Sequence, residues 1–522
     1  MRANRSWTGL LVAAVGVGAM LGCSSGGGTT TGGSGGTAPS GGAGSVGTGG
    51  NGGATSGTAG TAGTAGSGTG GTDGAGTSGG VAGSSGGAAG TNGGAAGTSG
   101  GAAGTNGGAG GAGAGSGGRG DASGGSGGTS AGSGGRGGAG GGSGGGSGGA
   151  GGLNSCTSGS LASTSFAVRF ANAVMTRWPD PVNIYTSNAW EYNHGIVLRG
   201  MKQVWSHTCD SRYVTYIQKY ADEFVNASGV VNIPAAHSFD NIQPSVLLPW
   251  LYQQTGMAKY HTAADNIRAR YNTIPTNADG GFWHKQTDPN QMWLDSIYMG
   301  EPFLDQYGAV FGTCGTFCGT TILKQSVLIA AHTRDATTGL MYHAWDDSPA
   351  GMKATWADPT TGRSSVVWDR AMGWYAMAVV DMLPNLPAGA DTTTLRSIVS
   401  GLATAMKNTQ DPATGLWFVV VDQGSKSDDW VESSGSGMFV YFLKTAVNRG
   451  YIDSSYLTVA NKGWQGLQTK ITTDASGSPT ITDAVPGLGV GDYSNYVSPT
   501  PVSNSSHGLC AILLAASEME AQ

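Results

Sequence analysis

One short stretch of the sequence holds an unusual density of groups that could do acid–base chemistry on a sugar. Asp295 lies between Trp293 and Tyr298, and His284 and Lys285 precede it closely. In aromatic surroundings, partial burial would raise the pKa of a carboxyl group and make it a proton donor near neutral pH. An isolated Asp beside an apolar run is more often a helix cap. Because these groups occur together, the stretch is predicted to be catalytic, with Asp295 as the acid and with His284 and Lys285 holding an anionic sugar.

A second region, residues 342–374, is rich in tryptophan and carries an arginine among the tryptophans. Trp345, Trp368 and Trp374 occur in the same region as Arg370. Aromatic faces pack against the apolar side of sugar rings, and the planar Arg fork suits a carboxylate bound through two parallel hydrogen bonds. The alternative is that Trp368 and Trp374 are core residues. The pattern predicts a binding site for an acidic sugar.

Helices would have to position these groups. Apolar residues recur at three- and four-residue intervals, as at Phe166, Phe170, Val174 and Trp178, which is the periodicity of an amphipathic helix. About twelve segments are predicted as helices, near residues 166–178, 196–206, 213–224, 243–254, 258–271, 291–311, 320–333, 370–383, 392–408, 435–449, 455–469 and 507–520.

A weakly repeated loop phrase separates some of the helices. It occurs at residues 278–283, 335–340 and 411–417, each time with Gly before an apolar or aromatic residue. Gly supplies the positive φ of a turn, and the residue after it returns the chain to the core. Six inner and six outer helices can close into a ring, so we predict an all-α (α/α)6 toroid. An open α-solenoid is the alternative, but it would show stricter repeats.

The part in front of the helices has a different composition. Most of the 98 glycines lie there, and no Phe, Trp or Tyr occurs from residue 8 through residue 165. A segment without such side chains cannot offset the entropy lost on ordering its backbone. We predict a disordered Gly/Ser/Thr-rich linker at 24–157 and one large domain at 158–522.

The first residues have the features of an export signal. Arg2 and Arg5 precede an apolar stretch at 10–21, which Gly and Cys23 follow. We predict a signal peptide at 1–23 with lipidation at Cys23, hence a bacterial cell-envelope lipoprotein, with ordinary secretion as the alternative. The apolar stretch is shorter than the roughly 20 residues that span a bilayer.

Export would permit disulfide bonds. Cys314 and Cys318 are the most plausible pair, and a metal site is the less favoured interpretation. Cys156, Cys209 and Cys510 remain once Cys23 is set aside. Because three is an odd number, at least one of them is expected to be a free or buried thiol, and the sequence leaves their connectivity open.

The charge balance excludes some classes of partner. The chain has 26 Lys and Arg against 32 Asp and Glu, a net charge of −6. It contains no basic run of five or more residues, which argues against nucleic acid or an anionic membrane as the ligand. Membrane association is expected only through the lipid anchor, and an anionic substrate must be met by local cations.

The order of motifs along the chain resembles that of the unsaturated rhamnogalacturonyl hydrolases, glycoside hydrolase family 105. The resemblance runs from about Phe166 to the C terminus, and its specificity comes from the number and order of the motifs. These are Arg177-Trp-Pro-Asp, Trp190-Glu-Tyr, Phe239-Asp-Asn, Trp283-His-Lys, Trp293-Leu-Asp, Tyr342-His-Ala-Trp, Trp368-Asp-Arg-Ala-Met-Gly-Trp, Glu432-Ser-Ser-Gly and His507-Gly.

The resemblance implies the (α/α)6 fold and a set of site residues. The family's catalytic Asp falls on Asp295, and a second Asp near the sugar falls on Asp240. The implied substrate contacts are Tyr192, Lys285, Trp293, His343, Arg370 and Trp374.

It also implies an unusual reaction. Family members hydrate the C4=C5 double bond that a polysaccharide lyase leaves on a terminal uronic acid. The implied partner is an oligosaccharide from rhamnogalacturonan that ends in unsaturated galacturonic acid. No metal or organic cofactor is implied.

Three other functions remain open from the sequence. The first is an unsaturated glucuronyl hydrolase acting on another polyanionic polysaccharide. The second is a conventional two-carboxylate glycosidase that uses Asp240 and Asp295 together. The third is a non-catalytic surface lipoprotein that binds carbohydrate, which the presence of both carboxylates argues against. The sequence predicts no oligomeric state.

Overall fold

The computed structural model describes residues 155–522, which are mostly helical. The fifteen α-helices of this part of the chain are α1 (Phe166–Arg177), α2 (Tyr192–Thr208), α3 (Ser211–Phe224), α4 (Phe239–Ile242), α5 (Leu247–Thr255), α6 (Ala258–Arg270), α7 (Leu294–Met299), α8 (Glu301–Phe311), α9 (Phe317–Thr333), α10 (Asp369–Met382), α11 (Thr393–Thr409), α12 (Ser433–Asn448), α13 (Leu457–Thr469), α14 (Tyr493–Val497) and α15 (Ser506–Glu520).

The long helices alternate between an inner and an outer ring. Helix α10 buries every residue except Asp381, as expected of an inner helix, whereas α3 buries only one face, formed by residues such as Tyr213 and Tyr220. The inner ring consists of α2, α5, α7 with α8, α10, α12 and α15. It closes because α15, the last helix, packs against both α12 and α2. The predicted (α/α)6 toroid is confirmed.

In the described part of the chain, six short strands form three antiparallel pairs that the sequence analysis did not predict. Two or three residues are too few to show the alternation of a strand. The pairs are β1 (Gln291–Trp293) with β2 (Ala344–Asp346), β3 (Trp417–Phe418) with β4 (Val431–Glu432), and β5 (Ile471–Thr473) with β6 (Pro479–Ile481).

One of these strands replaces the first turn of a predicted helix. The single helix predicted at 291–311 is wrong: β1 precedes α7, α7 ends at Met299, and Gly300 separates it from α8. Pro302 lies in the first turn of α8, where its missing N–H is tolerated, but it cannot continue α7. Gly300 also allows close packing, since a Cβ there would lie 2.3 Å from Cε1 of Phe239.

Two disulfides occur in the described part of the chain. Cys314 is bonded to Cys318, the pair proposed from the sequence. Cys156 is bonded to Cys209, a connectivity that the sequence left open. Cys510 is a buried free thiol, and burial raises its pKa to about 12.

The predictions for the first part of the chain are not addressed by these residues. The signal peptide at 1–23, lipidation at Cys23 and nearly all of the linker at 24–157 lie outside the described residues. The start of the domain at 158 stays a prediction. Between residues 155 and 522, no helix combines the length and the apolar character needed to cross a lipid bilayer.

Candidate active site

A cavity lies at the end of the toroid where the inner helices begin. Tyr192 is the first residue of α2, Arg370 the second of α10 and His507 the second of α15. The positive ends of these helices favour a negatively charged ligand. The cavity is small, with a volume of about 50 Å³, so no more than one terminal sugar could enter it.

All predicted site residues except His343 line this cavity. The lining consists of Tyr192, Asp240, His284, Lys285, Trp293, Asp295, Met299, Trp368, Arg370, Trp374, Gly487, Leu488 and His507.

The carboxyl group of Asp295 is held by His343, which lies behind the cavity wall. Nε2 of His343 is 3.0 Å from Oδ2 of Asp295, and His343 is fully buried. The strand pair β1–β2 brings the two together, because the backbone N–H of Leu294 donates to the carbonyl of His343 at 3.0 Å. This short antiparallel strand pair thus places a histidine next to a carboxylate that is distant in sequence.

The pKa of Asp295 differs from the sequence-based expectation. Burial does push this pKa upward, but the contact with His343 and the charge of Arg370 outweigh burial, and the pKa is lowered below its ordinary value. The expectation of a raised pKa in the free protein is therefore wrong. It considered the neighbouring aromatic residues but not the positive or hydrogen-bonding groups brought in from distant segments.

Asp240, in the short helix α4, forms an ion pair with Lys285. Nζ of Lys285 lies 2.8 Å from Oδ2 of Asp240. Burial raises the pKa of Asp240, Lys285 opposes that shift, and the charge of Asp295 adds to it. The cavity therefore contains two carboxyl groups whose pKa values are displaced in opposite directions, an arrangement typical of acid–base sites.

His284 does not supply a positive charge. Its imidazole is buried and stacks on the indole of Trp293 with ring centroids 4.3 Å apart. Burial and the neighbouring Lys285 lower the pKa of His284 well below its ordinary value. His284 lines the cavity but brings no charge to hold an anionic sugar, and its stacking fixes the position of the Trp293 indole.

Arg370 lies in the cavity wall but is already hydrogen-bonded. It is 1% exposed; Nη1 donates to the carbonyl of Val485 and Nη2 to that of Pro486. Its guanidinium carbon lies 4.4 Å from the ring centroid of Trp368. Because two donors hold the 485–486 segment, the predicted contact between Arg370 and the sugar would have to use the remaining donors.

The two predicted tryptophan contacts differ in their surroundings. Trp293 is half-buried, has Nζ of Lys285 5.6 Å from its ring centroid and lines the cavity. Trp374 is 1% exposed and packs against Tyr298. Trp374 and Trp368 are core residues that also reach the cavity, so the two interpretations from the sequence are not exclusive.

Sequence reasoning gave no role to several residues of this site. The hydroxyl of Tyr496 lies 2.8 Å from Nδ1 of His343, and Nε2 of His507 lies 3.3 Å from the hydroxyl of Tyr192. Gly487 packs against the pair of Tyr192 and His507, since a Cβ on Gly487 would be 3.1 Å from the Tyr192 hydroxyl. The repeated glycines at 487, 489 and 491 were the one sequence signal for this loop.

The fold and the site together define a class. An (α/α)6 toroid with two carboxylates, tryptophan faces and local cations at one end is the architecture of a carbohydrate-cleaving enzyme. Residues 166–522 match glycosyl hydrolase family 88. The chain belongs to this family, and the protein is a glycoside hydrolase.

Known relatives agree with this assignment. A solved glycoside hydrolase from family 105 of C. acetobutylicum is 32% identical, covers 68% of this chain and 99% of its own, and superposes with a TM-score of 0.64. Protein Atu3128 of Agrobacterium fabrum is 32% identical over 42% of this chain and 97% of its own length. The unsaturated rhamnogalacturonyl hydrolase YesR of Bacillus subtilis is 24% identical over 48% of this chain and 68% of its own length.

Proposed function

We propose that this protein removes terminal unsaturated galacturonic acid from rhamnogalacturonan oligosaccharides that a lyase has produced. The observation that carries this proposal is the buried contact between Asp295 and His343 in a cavity that also contains Asp240, Lys285 and Arg370. Galacturonic acid from rhamnogalacturonan is favoured by the similarity to the Bacillus subtilis enzyme.

The reaction is hydration of a double bond. The C4=C5 bond and the ring oxygen form a vinyl ether, so protonation at C4 leaves a positive charge shared between C5 and the ring oxygen. Water adds at C5 and loses a proton to a base. The resulting hemiketal opens, the bond to the neighbouring sugar breaks, and that sugar is released. One water is consumed overall.

Asp295 supplies the proton in this mechanism. Its pKa is lowered in the free protein, but the carboxylate of the incoming sugar adds a negative charge and displaces water, and both effects raise the pKa of a nearby carboxyl group. Because Oδ2 faces His343, the proton resides on Oδ1. Once ionised, Asp295 accepts a proton from the attacking water.

Asp240 and Lys285 act on the developing charges. The ionised carboxylate of Asp240, held at 2.8 Å from Lys285, stabilises the positive charge at C5 and orients the sugar or the water. Lys285, the remaining donors of Arg370 and the helix N-termini attract the sugar carboxylate. Tyr192, Trp293 and Trp374 complete the proposed contacts, whereas His343, which was predicted as a contact, acts on the sugar only through Asp295.

An exported location fits this function. The two disulfides, Cys156–Cys209 and Cys314–Cys318, are stable in oxidising compartments outside the cytoplasm. We therefore keep the proposal of a cell-envelope or secreted enzyme.

The test is the loss of ultraviolet absorbance from the unsaturated uronate when the protein meets lyase-digested rhamnogalacturonan. Asp295→Asn is compared with Asp391→Asn, an exposed Asp that precedes α11. We expect loss of absorbance with the parent and Asp391→Asn, and a drop of at least about a thousandfold with Asp295→Asn.

Two other outcomes contradict the proposal at different levels. If folded Asp295→Asn kept near-normal turnover, Asp295 would not be the acid. If neither unsaturated galacturonyl nor unsaturated glucuronyl oligosaccharides lost absorbance, double-bond hydration itself would be excluded, in favour of a two-carboxylate glycosidase or a binding protein.

A further inference from the structure

A second cavity lies at the end of the toroid opposite to the active site, where the inner helices end. Ser206 is in the last turn of α2, Asp381 is the last residue but one of α10, and Arg449 directly follows α12; all three line this cavity. Its volume is about 140 Å³, compared with about 50 Å³ for the catalytic cavity. Because one water molecule needs on the order of 15 Å³ of such space, an ion of several atoms can enter.

The lining of this cavity contains more cationic than anionic side chains. Arg199 and Lys202 come from α2, where residues three positions apart lie on the same face. Arg449 is the third cation. The carboxyl groups are those of Asp305 in α8 and Asp381 in α10.

The carboxylate of Asp381 is fully engaged by its neighbours. Nη2 of Arg199 forms an ion pair with Oδ2 of Asp381 at 2.5 Å, and Nη1 of Arg449 lies 3.5 Å from Oδ1. The hydroxyl of Tyr441 donates to the same Oδ1 at 2.8 Å. One carboxylate therefore serves two guanidinium groups.

Lys202 has no carboxylate in an ion pair with it in the described part of the chain. Its Nζ donates to the amide oxygen of Gln306 at 3.1 Å and lies 6.0 Å from the ring centroid of Trp250. Burial and the charge of Arg199 lower the pKa of Lys202 to about 7. Nη1 of Arg199 is also buried without a hydrogen-bond partner among residues 155–522. Two neighbouring cationic side chains thus keep hydrogen-bond donors for a ligand.

Asp305 does not supply the missing negative charge below pH 7. Its Oδ2 accepts hydrogen bonds from two neutral amides, Nδ2 of Asn385 at 3.0 Å and Nε2 of Gln306 at 3.4 Å. Burial raises the pKa of Asp305 to about 7. With Lys202 protonated and Asp305 neutral, three cations face one carboxylate, and this excess of positive charge is costly in a cavity.

We propose that this cavity binds a doubly charged tetrahedral oxyanion, phosphate or sulfate, between Lys202, Arg199 and Arg449. A dianion balances the excess of positive charge, whereas a single carboxylate would balance half of it. Guanidinium and ammonium groups bind such oxyanions through charge-assisted hydrogen bonds. The side chain of Arg449 is 32% exposed, so the ion enters from its side. The site lies outside the catalytic cavity and does not depend on the proposed function.

Binding of the oxyanion is coupled to protonation of Lys202. A nearby negative charge favours the charged form of an amine, so the bound ion raises the pKa of Lys202 from its value of about 7. The affinity therefore falls as the pH rises above that value. Asp305 adds to the fall, because its carboxyl group gains a negative charge over the same range.

The other ionisable groups of this cavity keep their charge in that range. Arg199 and Arg449 are guanidinium groups, which stay protonated, and they are paired with the carboxylate of Asp381. Burial raises the pKa of Tyr441 well above its ordinary value, so its hydroxyl stays neutral. The pH dependence of binding therefore reports Lys202 and Asp305.

The first experiment is calorimetric titration of the full-length protein with sodium sulfate at pH 6, at an ionic strength held constant with sodium chloride. A parallel titration with inorganic phosphate distinguishes the two oxyanions. We expect a dissociation constant below about 1 mM for sulfate. Lys202→Gln should weaken binding at least about tenfold, and Lys202→Arg should stay within about threefold of the parent. Lys219→Gln, which changes a lysine of α3 whose side chain is 53% exposed, is the matched control.

Two further variants locate the ion. Lys285→Gln removes a cation of the catalytic cavity and should leave the sulfate affinity within about twofold of the parent. Arg449→Gln changes the exposed side of the second cavity and should weaken binding at least about threefold. It also provides an independent test if Lys202→Gln does not fold, which thermal unfolding without oxyanions checks.

The second experiment repeats the sulfate titration at pH 8, since sulfate stays doubly charged over this range. The affinity of the parent should fall at least about fivefold between pH 6 and pH 8. The fall should be smaller for Lys202→Arg, because its guanidinium group keeps its charge. Thermal unfolding gives a second readout: sulfate at ten times its dissociation constant should raise the midpoint of the parent by at least about 2 °C at pH 6.

The proposal is overturned by either of two results. If neither oxyanion binds, water and the C-terminal ends of the inner helices compensate the cations of this cavity. If Lys285→Gln abolishes binding while Lys202→Gln and Arg449→Gln retain it, the ion occupies the catalytic cavity instead. Weaker binding in Lys202→Gln and Arg449→Gln, with normal binding in Lys285→Gln, supports the second site.

Discussion

Nε2 of His343 lies 3.0 Å from Oδ2 of Asp295, and this contact fixes how the carboxyl group can carry a proton. The backbone N–H of Gly491 donates to the hydroxyl of Tyr496 at 3.1 Å, which leaves that hydroxyl free to donate to Nδ1 of His343 at 2.8 Å. In the neutral imidazole, the proton is then on Nε2 and points at Asp295. Oδ2 is the acceptor, so a proton on the carboxyl group resides on Oδ1.

This arrangement predicts a measurable role for a hydroxyl that does not line the cavity. Tyr496→Phe removes the donor to Nδ1, so His343 can adopt the other tautomer and no longer presents N–H to Asp295. We expect kcat to fall by about ten- to a hundredfold, as for other groups that orient a catalytic residue. The measurement is the initial rate of absorbance loss at saturating substrate.

Tyr493→Phe is the matched control for this prediction. Tyr493 lies in the same short helix, and its hydroxyl donates to Asp428 at the surface, 2.9 Å away. Its loss should leave kcat within about twofold of the parent, since removal of a surface hydrogen bond has little effect on a distant site. Equal rates for Tyr496→Phe and the parent would show that His343 needs no partner on Nδ1.

The ion pair of Asp240 predicts a shift in the pH profile. Burial raises the pKa of Asp240, and Lys285 counteracts this effect. Lys285→Gln removes the counteracting charge, so the pKa of Asp240 rises further and the ionised form is lost at a higher pH. If catalysis requires ionised Asp240, the acidic limb of kcat/KM must move toward higher pH.

The control for this experiment is Lys324→Gln, which removes an exposed lysine of α9. It should leave the acidic limb in place. The acidic limb of the pH profile of Lys285→Gln is measured on kcat/KM, because that quantity reports the pKa values of the free enzyme. A limb that stays in place, or moves toward lower pH, would mean that the ionised carboxylate of Asp240 is not required.

The sequence predicted the ring of helices because each long helix carries its own periodic pattern. Helix α10 is an example: its segment was predicted at 370–383 and is found at Asp369–Met382. Local patterns of this kind need no knowledge of distant parts of the chain. The groups around Asp295 could also be predicted, because they lie close together in one stretch of the sequence.

What the sequence did not predict depends on contacts between distant segments. The pKa of Asp295 is lowered by His343, which a three-residue strand pair places beside it. Tyr496 reaches His343 from far along the chain. Neither contact leaves a periodic signal, because each depends on the three-dimensional path of a loop.

The disulfides differ in the length of chain that they enclose, which predicts different effects on stability. Cys156 and Cys209 are separated by 53 residues, whereas Cys314 and Cys318 are separated by 4. If the constraint on the unfolded chain dominates, removing the first pair should cost about 4 kcal/mol and removing the second about 2 kcal/mol. Urea unfolding of the two Ser-for-Cys double variants measures both, and a reversed order would contradict the entropic account.

A buried glutamate in α8 predicts an unusual dependence of stability on pH. Glu301 is 1% exposed, its Oε2 has no hydrogen-bond partner in the described residues, and burial raises its pKa well above the ordinary value. The folded protein therefore keeps this carboxyl group protonated at a pH where the unfolded chain has already released the proton. Its contribution to stability is greatest below the unfolded pKa and is lost as the pH rises from that value through the raised folded pKa.

Glu301→Gln removes this titration and keeps a side chain of similar shape. The variant should gain stability relative to the parent at pH 7 by about 1 kcal/mol or more, and gain less near pH 4, where the parent carboxyl is protonated in both states. Urea midpoints at the two pH values measure the difference, with Glu223→Gln, an exposed residue of α3, as the control. If Glu301→Gln destabilised the protein equally at both pH values, the carboxyl group would have to be ionised and paired in the folded state.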